Sequence, residues 1–575
     1  MRHMRFRACF IVAIMVAVTA RGEDQPIIQY GDRFHPQIGY GGMVVSQEAL
    51  ASQVGADILA QGGNAVDAAV ATGFALAVTL PQAGNIGGGG FMMIHLAEAG
   101  RTLALDYREM APGAAHRDLF LDDQGRADPQ KSRFSALSSG VPGTVAGLVH
   151  AQHKYGRLGL EAVMAPAIRL AEEGFRVDFP LYWSLKRARE RLSRHPAARE
   201  YFLAADGSAP ETGTLWRQPD LARTLKRIAG TAGRDFYEGE TARLIVEEMS
   251  RQGGLITLQD LKNYQVFERH PVSGTYRGYE VVSMPPPSSG GVHLVQMLNI
   301  LEGWDLASLG HNSAAYLHRL VEAMRRAYAD RSQYLGDPDF VDVPVMALTD
   351  KSYAATLRRH ISLDKATPSS EVAPGLAVPK EGRQTTHFAT WDEDGNVVSN
   401  TYTLNFSYGN GIAVSGAGFL LNNEMDDFSA KPGVPNAYGL IGAEANAIEP
   451  RKRPLSSMTP AIVLKDGQPV LATGSPGGSR IITAVLQMVL NHIDFDMNLA
   501  EATAAPRVHH QWLPDEVSVE KGISPDTVKL LEAMGHKVEI TPWVIGRTQS
   551  LSREDDVFLG VTDFRWPGGA AVSPR

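Results

Sequence analysis

Two β-rich runs, residues 385–392 and 397–404, flank the dipeptide Asp394-Gly395. An Asp-Gly pair between such runs is a strong signal for a β-hairpin, because both residues accept the backbone angles of a tight turn. Side chains alternate between the two faces of a strand. One face of the first run carries Thr385, His387, Ala389 and Trp391. The sequence therefore predicts an antiparallel hairpin whose second strand returns Thr403 toward Thr385.

Thr385 follows a segment, residues 366–384, that is rich in Pro, Ser, Gly and charged residues. Such a segment is typical of an exposed loop, where a cut in the chain is tolerated. A cut before Thr385 would give this threonine a free α-amine with an ordinary pKa of about 8, which accepts a hydroxyl proton at neutral pH. Two interpretations stay open here: an N-terminal nucleophile oriented by Thr403, and an ordinary threonine-rich hairpin.

Around the hairpin, the spacing of apolar residues predicts both helices and strands. The predicted helices cover residues 45–59, a segment that begins at Asn64, most of 142–365 including 292–301, and 481–493. The predicted strands cover residues 91–96, 279–284, 418–423 and a second hairpin of 461–464 with 469–473. Strands on both sides of Thr385, with helices before and after them, predict an α+β sandwich of stacked sheets between helical layers.

The composition limits the class of partner. With 575 residues, 44% of them hydrophobic, the chain can bury a large core. The formal net charge is -8, and the basic residues are scattered rather than clustered, which excludes nucleic acid as an expected partner. The glycine-rich run 84–90 lacks the Gly-Lys-Ser/Thr ending of a phosphate loop, so it predicts tight backbone packing.

The N-terminus has basic residues, an apolar run at 8–20 and then polar residues. This order is typical of a secretory signal, and the run is shorter than the roughly 20 residues of a membrane span. We expect a signal peptide at 1–20 and a periplasmic or secreted protein, with an uncleaved anchor as the open alternative. Because Cys9 is the only cysteine, the exported chain would have no disulfide and no cysteine ligand.

Gly477 and Gly478 stand directly before the predicted helix 481–493. Successive glycine N–H groups at a helix N-terminus form a nest of donors that suits the oxyanion of a tetrahedral intermediate. A simple glycine turn is the alternative.

Other polar residues complement the two ends of an α-amino acid, because arginine with hydroxyls binds a carboxylate, and carboxylates with an amide oxygen bind an ammonium. The candidates for the carboxylate are Arg108, Ser456 and Ser457, and those for the ammonium are Asn405, Glu424 and Asp427. Structural ion pairs and solvated turns remain open for them. His509 and His510 are adjacent and would point in opposite directions on a strand, so no metal site is predicted.

In these segments the sequence resembles the γ-glutamyltranspeptidase family of the N-terminal nucleophile hydrolases, from about Tyr40 to Asp563. The motifs that carry the resemblance are residues 62–69, 285–291, 385–387, 421–428, 453–458 and 474–479. The resemblance implies a four-layer αββα sandwich with additional helices and a cut between Gln384 and Thr385. The products would be a large subunit, 21–384, and a small subunit, 385–575, intertwined as a heterodimer.

The resemblance also implies a role for each candidate, with no cofactor and no metal. Thr385 would attack the γ-glutamyl carbonyl of glutathione or a related small molecule, and the group would pass to water, an amino acid or a short peptide. Thr403 would support the nucleophile, and Gly477 and Gly478 would stabilise the oxyanion. The head group would be bound by Arg108, Ser456, Ser457, Asn405, Glu424 and Asp427.

Two features depart from many bacterial members of the family. Position 424 is Glu where many have Gln, which would change acceptor preference or pH response. Residues 432–443, with Tyr438, resemble a lid loop that some members lack, and a lid favours small donors. The alternatives are a cephalosporin (glutaryl) acylase of the same superfamily and a non-catalytic exported binding protein.

Overall fold

The computed structural model describes residues 34–372, 385–431 and 443–574. The predicted signal peptide with Cys9, the cleavage residue Gln384 and the lid residue Tyr438 lie outside the described residues. The strands are β1 Gln37–Gly39, β2 Gly42–Ser46, β3 Gly89–Leu96, β4 Arg101–Tyr107, β5 Phe175–Arg176, β6 Leu215–Trp216, β7 Phe267–Arg269, β8 Val272–Tyr276, β9 Tyr279–Ser283, β10 Thr386–Asp392, β11 Val397–Thr403, β12 Ala461–Lys465, β13 Gln468–Gly474, β14 Val508–His509, β15 Val517–Val519, β16 Val538–Ile540, β17 Gln549–Glu554, β18 Val557–Thr562 and β19 Ala570–Val572.

The helices occur throughout the chain. They are α1 Ala49–Ala60, α2 Ala65–Thr79, α3 Pro129–Phe134, α4 Thr144–Tyr155, α5 Leu160–Glu173, α6 Phe179–Leu192, α7 Pro196–Phe202, α8 Pro219–Gly230, α9 Arg234–Glu238, α10 Glu240–Gln252, α11 Leu258–Lys262, α12 Gly290–Leu301, α13 Ala314–Tyr334, α14 Val345–Leu348, α15 Lys351–Arg359, α16 Arg480–Ile493, α17 Leu499–Ala504 and α18 Pro525–Ala533. Within the described ranges, no helix has both the length and the apolar character needed to cross a membrane.

The predicted hairpin is formed by β10 and β11, which lie in the middle of a seven-stranded sheet of order β19-β2-β10-β11-β3-β4-β7. The two strands pair antiparallel, with Thr386 opposite Tyr402. The connection is longer than a two-residue turn, because the N–H of Asp392 donates to the carbonyl of Asn396 at 3.1 Å. β2 and β3, which come before residue 384, flank β10 and β11. Segments from both sides of the predicted cut therefore share one sheet.

A second seven-stranded sheet, of order β1-β18-β17-β13-β12-β9-β8, packs against the first. Ala389 and Trp391 of β10 lie in the core between the two sheets, together with apolar residues of β12, β13 and β17. Phe388 and Tyr402 lie in a different core on the opposite face of the hairpin. The alternation of faces predicted for the hairpin is confirmed.

Helices cover the outer faces of both sheets. Every residue of α2 is buried, since its small and apolar side chains let it pack against the hairpin sheet beside α1 and α4. The hydroxyl of Tyr402 donates to the carbonyl of Gly73 in α2 at 2.9 Å. On the second sheet, α12 and α16 form the corresponding layer, with α13 packed on α12. The predicted α+β sandwich of two sheets between helical layers is confirmed.

Two element predictions are wrong in detail. Val45 belongs to β2, and the helix begins only at Ala49, where the Glu48 carboxylate caps it by accepting backbone N–H groups. Residues 418–423 form no strand. There Gly418 has a φ of +81°, and the side chain of Asn422 bonds to loop carbonyls in place of a strand ladder.

The glycine run 84–90 packs tightly against other backbone, as predicted. A methyl group on Gly87 would lie 2.1 Å from the carbonyl oxygen of Leu420, and one on Gly88 would lie 1.9 Å from that of Thr403. Side chains larger than hydrogen would force these segments apart. The run therefore fixes the end of β11, where Thr403 lies.

Candidate active site

A cavity of about 20 Å³ lies where β10 begins and β11 ends. Its predicted lining residues are Arg108, Thr385, Thr403, Asn405, Glu424, Asp427, Ser456, Ser457 and Gly478. The residues of the lining that the sequence did not single out are Arg331, Met458, Ser479 and Ile481. A cavity of this size holds about one water molecule. The structure thus gathers candidates from dispersed segments around one small space, and a glutamyl group would have to widen it.

Thr385 lies directly before β10 with 6% of its surface exposed. Its Oγ1 donates to Oγ1 of Thr403 at 3.4 Å. The Thr403 Oγ1 also accepts the N–H of Asn405 at 2.8 Å. Because this backbone N–H fixes the Thr403 hydroxyl, Thr403 in turn orients the hydroxyl of Thr385 at the cavity.

Gly477 and Gly478 have φ angles of +142° and +60°, which residues with side chains rarely adopt. The loop that they form is held from both sides. Ser475 Oγ accepts the N–H of Arg547 at 2.8 Å, and Ser479 Oγ donates to a glutamine side chain at 2.7 Å. The loop leads into α16, a helix of 14 residues, whose N-terminus carries a partial positive charge. This end of the cavity therefore favours negative charge.

Arg108 follows β4 and is completely buried. Its Nη2 donates to Oδ2 of Asp427 at 2.5 Å, its Nη1 donates to Glu424, and its Nε donates to the carbonyl of Pro454 at 3.2 Å. The two acids stand at the ends of a 3-10 turn, Glu424–Asp427. The residue predicted to bind a carboxylate is thus paired with the residues predicted to bind an ammonium.

Three carboxyl groups, those of Glu109, Glu424 and Asp427, surround the guanidinium of Arg108. Burial raises the pKa of Glu109 to about 7, although Arg108 acts to lower it. Burial also raises the pKa of Glu424 and that of Asp427. Neither carboxyl oxygen of Glu109 has a hydrogen-bond partner among the described residues. Because Arg108, even with the charge of Arg331 acting on Asp427, cannot neutralise three acids, we infer that Glu109 and Glu424 share a proton near neutral pH.

Arg331 is a second buried cation at the cavity, and sequence reasoning missed it. Its Nη2 donates to Ser457 Oγ at 3.1 Å, and its Nε donates to Ser289 Oγ at 2.9 Å. Ser289 Oγ in turn donates to the carbonyl of Ser456 at 2.7 Å. Burial lowers the pKa of Arg331 to about 10. Arg331 therefore positions both serines and adds positive charge beside them.

One signal in the sequence could have found Arg331. It lies three residues after Tyr328 and seven after Met324, so it falls on the buried face of α13. A charged residue on an apolar helix face is rarely without a partner or a function. The same helix also buries Arg325 and Arg326, which pair with a glutamate away from the cavity. Periodicity alone therefore does not separate a structural arginine from one at the site.

His318, Glu322 and His536 form a trio with potential metal-ligand atoms within 4.8 Å of one another. Nδ1 of His318 lies 2.8 Å from Nε2 of His536, and Nε2 of His318 lies 2.7 Å from a backbone carbonyl. The Nε2–H of His318 donates to the carbonyl, so in the neutral ring Nδ1 accepts a hydrogen bond from the Nε2–H of His536. Glu322 already binds Arg325 and Arg326, whose charges oppose a cation. Hydrogen bonding explains this trio, and we assign no metal to it.

The adjacent histidines of the sequence bind different partners. Nδ1 of His509 lies 2.8 Å from the hydroxyl of Thr483, whereas Nε2 of His510 lies 3.2 Å from Asp515. Burial lowers the pKa of His510 to about 4. The two rings therefore take part in separate hydrogen-bond networks.

Residues 51–573 match the family model described as Gamma-glutamyltranspeptidase. The glutathione hydrolase proenzyme of Escherichia coli (strain K12) is 56% identical over 545 residues, which cover 94% of this chain and 93% of that protein. The acylase ACY 1 proenzyme of Pseudomonas sp. (strain V22) is 39% identical over 541 residues, which cover 93% and 94%.

Solved structures show the same fold. The cephalosporin acylase from Bacillus halodurans aligns with a TM-score of 0.83 and 30% identity, covering 96% of this chain and 99% of that chain. The gamma-glutamyltranspeptidase of Helicobacter pylori aligns with a TM-score of 0.57 and 47% identity, covering 60% of this chain and 98% of that chain. The chain therefore shares its fold with these solved structures.

Proposed function

The chain belongs to the γ-glutamyltranspeptidase family, and we propose that it cuts itself before Thr385 and then uses this threonine to carry γ-glutamyl groups. It is a γ-glutamyl hydrolase and transferase with the fold of an N-terminal nucleophile hydrolase. It is made as a proenzyme, is processed to two subunits and acts on small molecules. The observation that carries the proposal is the position of the Thr385 hydroxyl at the cavity lined by Arg108 and Asp427.

Maturation needs no group besides Thr385, a neighbouring donor and water. The Thr385 Oγ1 attacks the carbonyl carbon of Gln384, a C–O bond replaces the C–N bond, and the hydroxyl proton moves to the freed nitrogen. Water then hydrolyses the ester, which leaves a carboxylate on Gln384 and a hydroxyl and an α-amine on Thr385. Thr403, at 3.4 Å from the Thr385 hydroxyl, supports both steps.

The proposed products are a large subunit of residues 21–384 and a small subunit of residues 385–575. The strands β2 and β3 from the first pair with β10 and β11 from the second. A cut between them leaves all of these backbone hydrogen bonds in place. The two subunits are therefore expected to stay together as one intertwined unit.

The γ-glutamyl donor carries an α-carboxylate and an α-ammonium at one end. In the proposed complex the carboxylate of the donor binds to Arg108, Ser456 and Ser457. Its ammonium binds to Asp427, Glu424 and Asn405. Both acids pair directly with Arg108, and the distance from Nη2 of Arg108 to Oδ2 of Asp427 is 2.5 Å. Binding thus exchanges partners, so that no buried charge is left without an opposite charge. A ligand with only one of the two charges would leave part of the site unpaired.

Transfer then proceeds through an ester. The α-amine of Thr385 accepts the proton of Oγ1, which bonds to the γ-carbonyl carbon, and the N–H groups of Gly477 and Gly478 stabilise the oxyanion. The amine passes its proton to the leaving nitrogen as the C–N bond breaks. Water, an amino acid or a short peptide attacks the ester in the second half, losing a proton to the amine, and Thr385 regains its hydroxyl proton.

A glutaryl acylase is the second candidate, because acylases of this group are similar to the chain in sequence and structure. A glutaryl group has the carboxylate but no α-amine. It would take Arg108 from Glu424 and Asp427 and supply no cation in return, leaving two buried acids unpaired. The charge arrangement therefore favours a γ-glutamyl donor. A non-catalytic binding protein is the weakest candidate, since the family and its relatives are enzymes.

Export through residues 1–20 and closure of the site by residues 432–443 with Tyr438 remain proposals from the sequence. They are compatible with a glutathione hydrolase that meets its substrate in the periplasm or outside the cell. Sequencing the N-terminus of the exported protein would test the first, with a start after Ala20 expected.

The central test uses Thr385→Ala and its neighbour Thr386→Ala. We expect Thr385→Ala to abolish both chain cleavage and the release of nitroaniline from γ-glutamyl nitroanilide, the γ-glutamyl anilide used as donor throughout. Thr386 is a matched control, because its buried hydroxyl has no hydrogen-bond partner among the described residues. Gel electrophoresis and absorbance measure the two effects. Cleavage that survives in Thr385→Ala would place the cut elsewhere.

A donor competition separates the two enzyme candidates. The purified enzyme should turn over glutathione faster than glutaryl-7-aminocephalosporanate. Faster turnover of the glutaryl compound would overturn the γ-glutamyl assignment.

A further inference from the structure

A larger cleft, of about 640 Å³, adjoins the small cavity. Phe406 and Arg480 line the cleft, while the residues just before them, Asn405 and Ser479, line the cavity. The chain at 405–406 and at 479–480 therefore separates the two spaces, with one residue of each pair facing each space. Unlike the cavity, the cleft has room for an amino acid or a short peptide.

Two arginines of the cleft, Arg187 in α6 and Arg547, form no ion pair with any described residue. The guanidinium of Arg547 lies over the ring of Trp566 at 4.8 Å, and its Nε has no hydrogen-bond partner in the described part of the chain. Burial lowers the pKa of Arg547, the charge of Asp563 acts to raise it, and the charge of Arg187 lowers it further. Asp563 is itself paired with Arg507 and Arg565, so two like charges that form no ion pair lie near each other in one cleft.

The other charged groups of the cleft are engaged. Arg191 donates to the carbonyls of Ser407 and Gly409 at 2.6 and 3.2 Å. Glu516 pairs with Lys537 at 2.6 Å, and Arg480 and Glu539 also have partners. The charge that the cleft leaves for a ligand is therefore positive, which favours an anionic group.

Arg547 is tied to the loop that would hold the oxyanion. Its backbone N–H donates to Ser475 Oγ at 2.8 Å. A methyl group on Gly477 would lie 3.5 Å from Cα of Gly546, the residue before Arg547. The backbone of Arg547 is thus held against the glycine loop, while its guanidinium lies over Trp566 in the cleft.

We propose that Arg187 and Arg547 bind the free C-terminal carboxylate of the amino acid or short peptide that leaves, or accepts, the γ-glutamyl group. This inference rests on the proposed function. A planar guanidinium binds a carboxylate through two parallel N–H···O bonds, and a second arginine nearby adds to the attraction. Aromatic walls, among them Trp183 and Trp566, cover the stem of such a ligand.

The test compares two acceptors that differ only at the C-terminus, glycylglycine and glycylglycinamide, with a γ-glutamyl anilide as donor. The anilide leaving group has no carboxylate, so its release reports the head-group site alone. For each protein, the kcat/KM for transfer to each acceptor is divided by the rate of nitroaniline release without acceptor. The proteins are the wild type, Arg187→Gln, Arg547→Gln and Arg189→Gln. Arg189 is the matched control, since it lies on α6 but does not line the cleft.

The wild type should prefer glycylglycine by about 10-fold, the value expected for one charge-assisted pair. Arg187→Gln and Arg547→Gln should bring the preference close to about 1, and Arg189→Gln should keep it. If Arg547→Gln does not mature, Arg187→Gln on the exposed helix decides. Equal use of both acceptors by the wild type, or an unchanged preference in both cleft variants, would overturn this subsite. Absence of nitroaniline release from the wild type would instead overturn the proposed function.

Discussion

The small cavity and the adjoining cleft differ in whether their arginines are paired with acidic side chains. In the cavity, Arg108 is buried and paired with Glu424 and Asp427, and the space measures about 20 Å³. In the cleft, Arg187 and Arg547 form no ion pairs with described residues, and the space measures about 640 Å³. Removing one partner of a buried pair is costly, whereas Arg187 and Arg547 have no ion-pair partner among the described residues that a substitution could leave uncompensated.

This difference teaches how one enzyme can be strict toward one substrate and tolerant toward another. In the proposed complex, a donor must offer both a carboxylate and an ammonium to replace the internal pairs of the cavity. An acceptor needs only to bring an amine to the ester, and its carboxylate adds affinity. We therefore expect variants of the cavity to have larger effects than variants of the cleft.

Arg108→Gln changes the small cavity and should have the largest effect of the variants compared below. It removes the partner of the donor carboxylate and leaves Glu424 and Asp427 without their shared cation. A loss of about 4 kcal/mol, or roughly 1000-fold in kcat/KM for a γ-glutamyl anilide, follows from the usual cost of breaking a buried pair. Steady-state kinetics on the matured protein measure it.

The control for this variant is Arg117→Gln. Arg117 also pairs with a glutamate, Glu444, but both side chains are largely exposed. Exposed pairs contribute at most about 1 kcal/mol, so this variant should change kcat/KM less than about 5-fold. Similar losses in the two variants would show that the buried pairs of the cavity carry no special role.

The hairpin and the site loops were predictable because their signals are local. Alternating side chains around Asp394-Gly395 gave the two faces of β10, and Gly477 with Gly478 before an apolar run gave the loop that opens α16. The prediction of a strand at 418–423 was wrong because it relied on the apolar residues of the segment and gave too little weight to the turn glycines before them. Only the structure shows Gly418 in a left-handed conformation there.

The internal pairing of the cavity was beyond prediction from these local patterns. Arg108 meets Glu424 across a separation of 316 residues, and no local pattern reports which charges meet. Arg331 was missed for the related reason that its neighbours Arg325 and Arg326 share the helix but bind elsewhere. Most residues that line the cavity could be named from the sequence, but not the network of ion pairs that connects them.

Arg331→Gln tests whether donor binding in the small cavity also depends on a residue that would not touch the donor. Arg331 donates to Ser457 Oγ and, through Ser289, supports Ser456. Loss of a charge-assisted hydrogen bond of about 2 kcal/mol should raise the KM of the anilide by roughly 30-fold, with a smaller change in kcat. The split between KM and kcat identifies a positioning residue, since a merely structural defect would lower the amount of active enzyme and leave KM unchanged.

Two further variants sharpen this prediction. Arg319→Gln, on the same helix but away from the cavity, should leave KM unchanged, because Arg319 donates to a carbonyl within its own helix. Arg331→Lys should recover part of the affinity through its charge, but not all, because lysine cannot donate to both serines in the same geometry. An unchanged KM in Arg331→Gln would remove this residue from the head-group site.

Glu424→Gln should have the smallest effect on turnover, and it tests the shared proton directly. Burial raises the pKa of Glu109 from its ordinary 4.5 to about 7, so the fold favours the neutral acid. This contribution to stability is complete below pH 4.5 and is lost as pH rises through about 7. Burial, together with the charges of Glu109 and Asp427, also raises the pKa of Glu424, although Arg108 acts to lower it. A glutamine at position 424 has no proton to lose, so the variant lacks the part of the stability loss that belongs to residue 424. The thermal midpoint should therefore fall less between pH 5 and pH 8 in Glu424→Gln than in the wild type, by a few °C.

The kcat/KM should change only about 3-fold at pH 8, because Asp427 still binds the ammonium and an amide oxygen replaces one carboxylate oxygen. Glu190→Gln, an exposed acid on α6, should follow the wild type at both pH values. Equal falls of the midpoint in Glu424→Gln and the wild type would show that Glu109 and Glu424 share no proton, and that the cavity balances its charges through Arg108 alone.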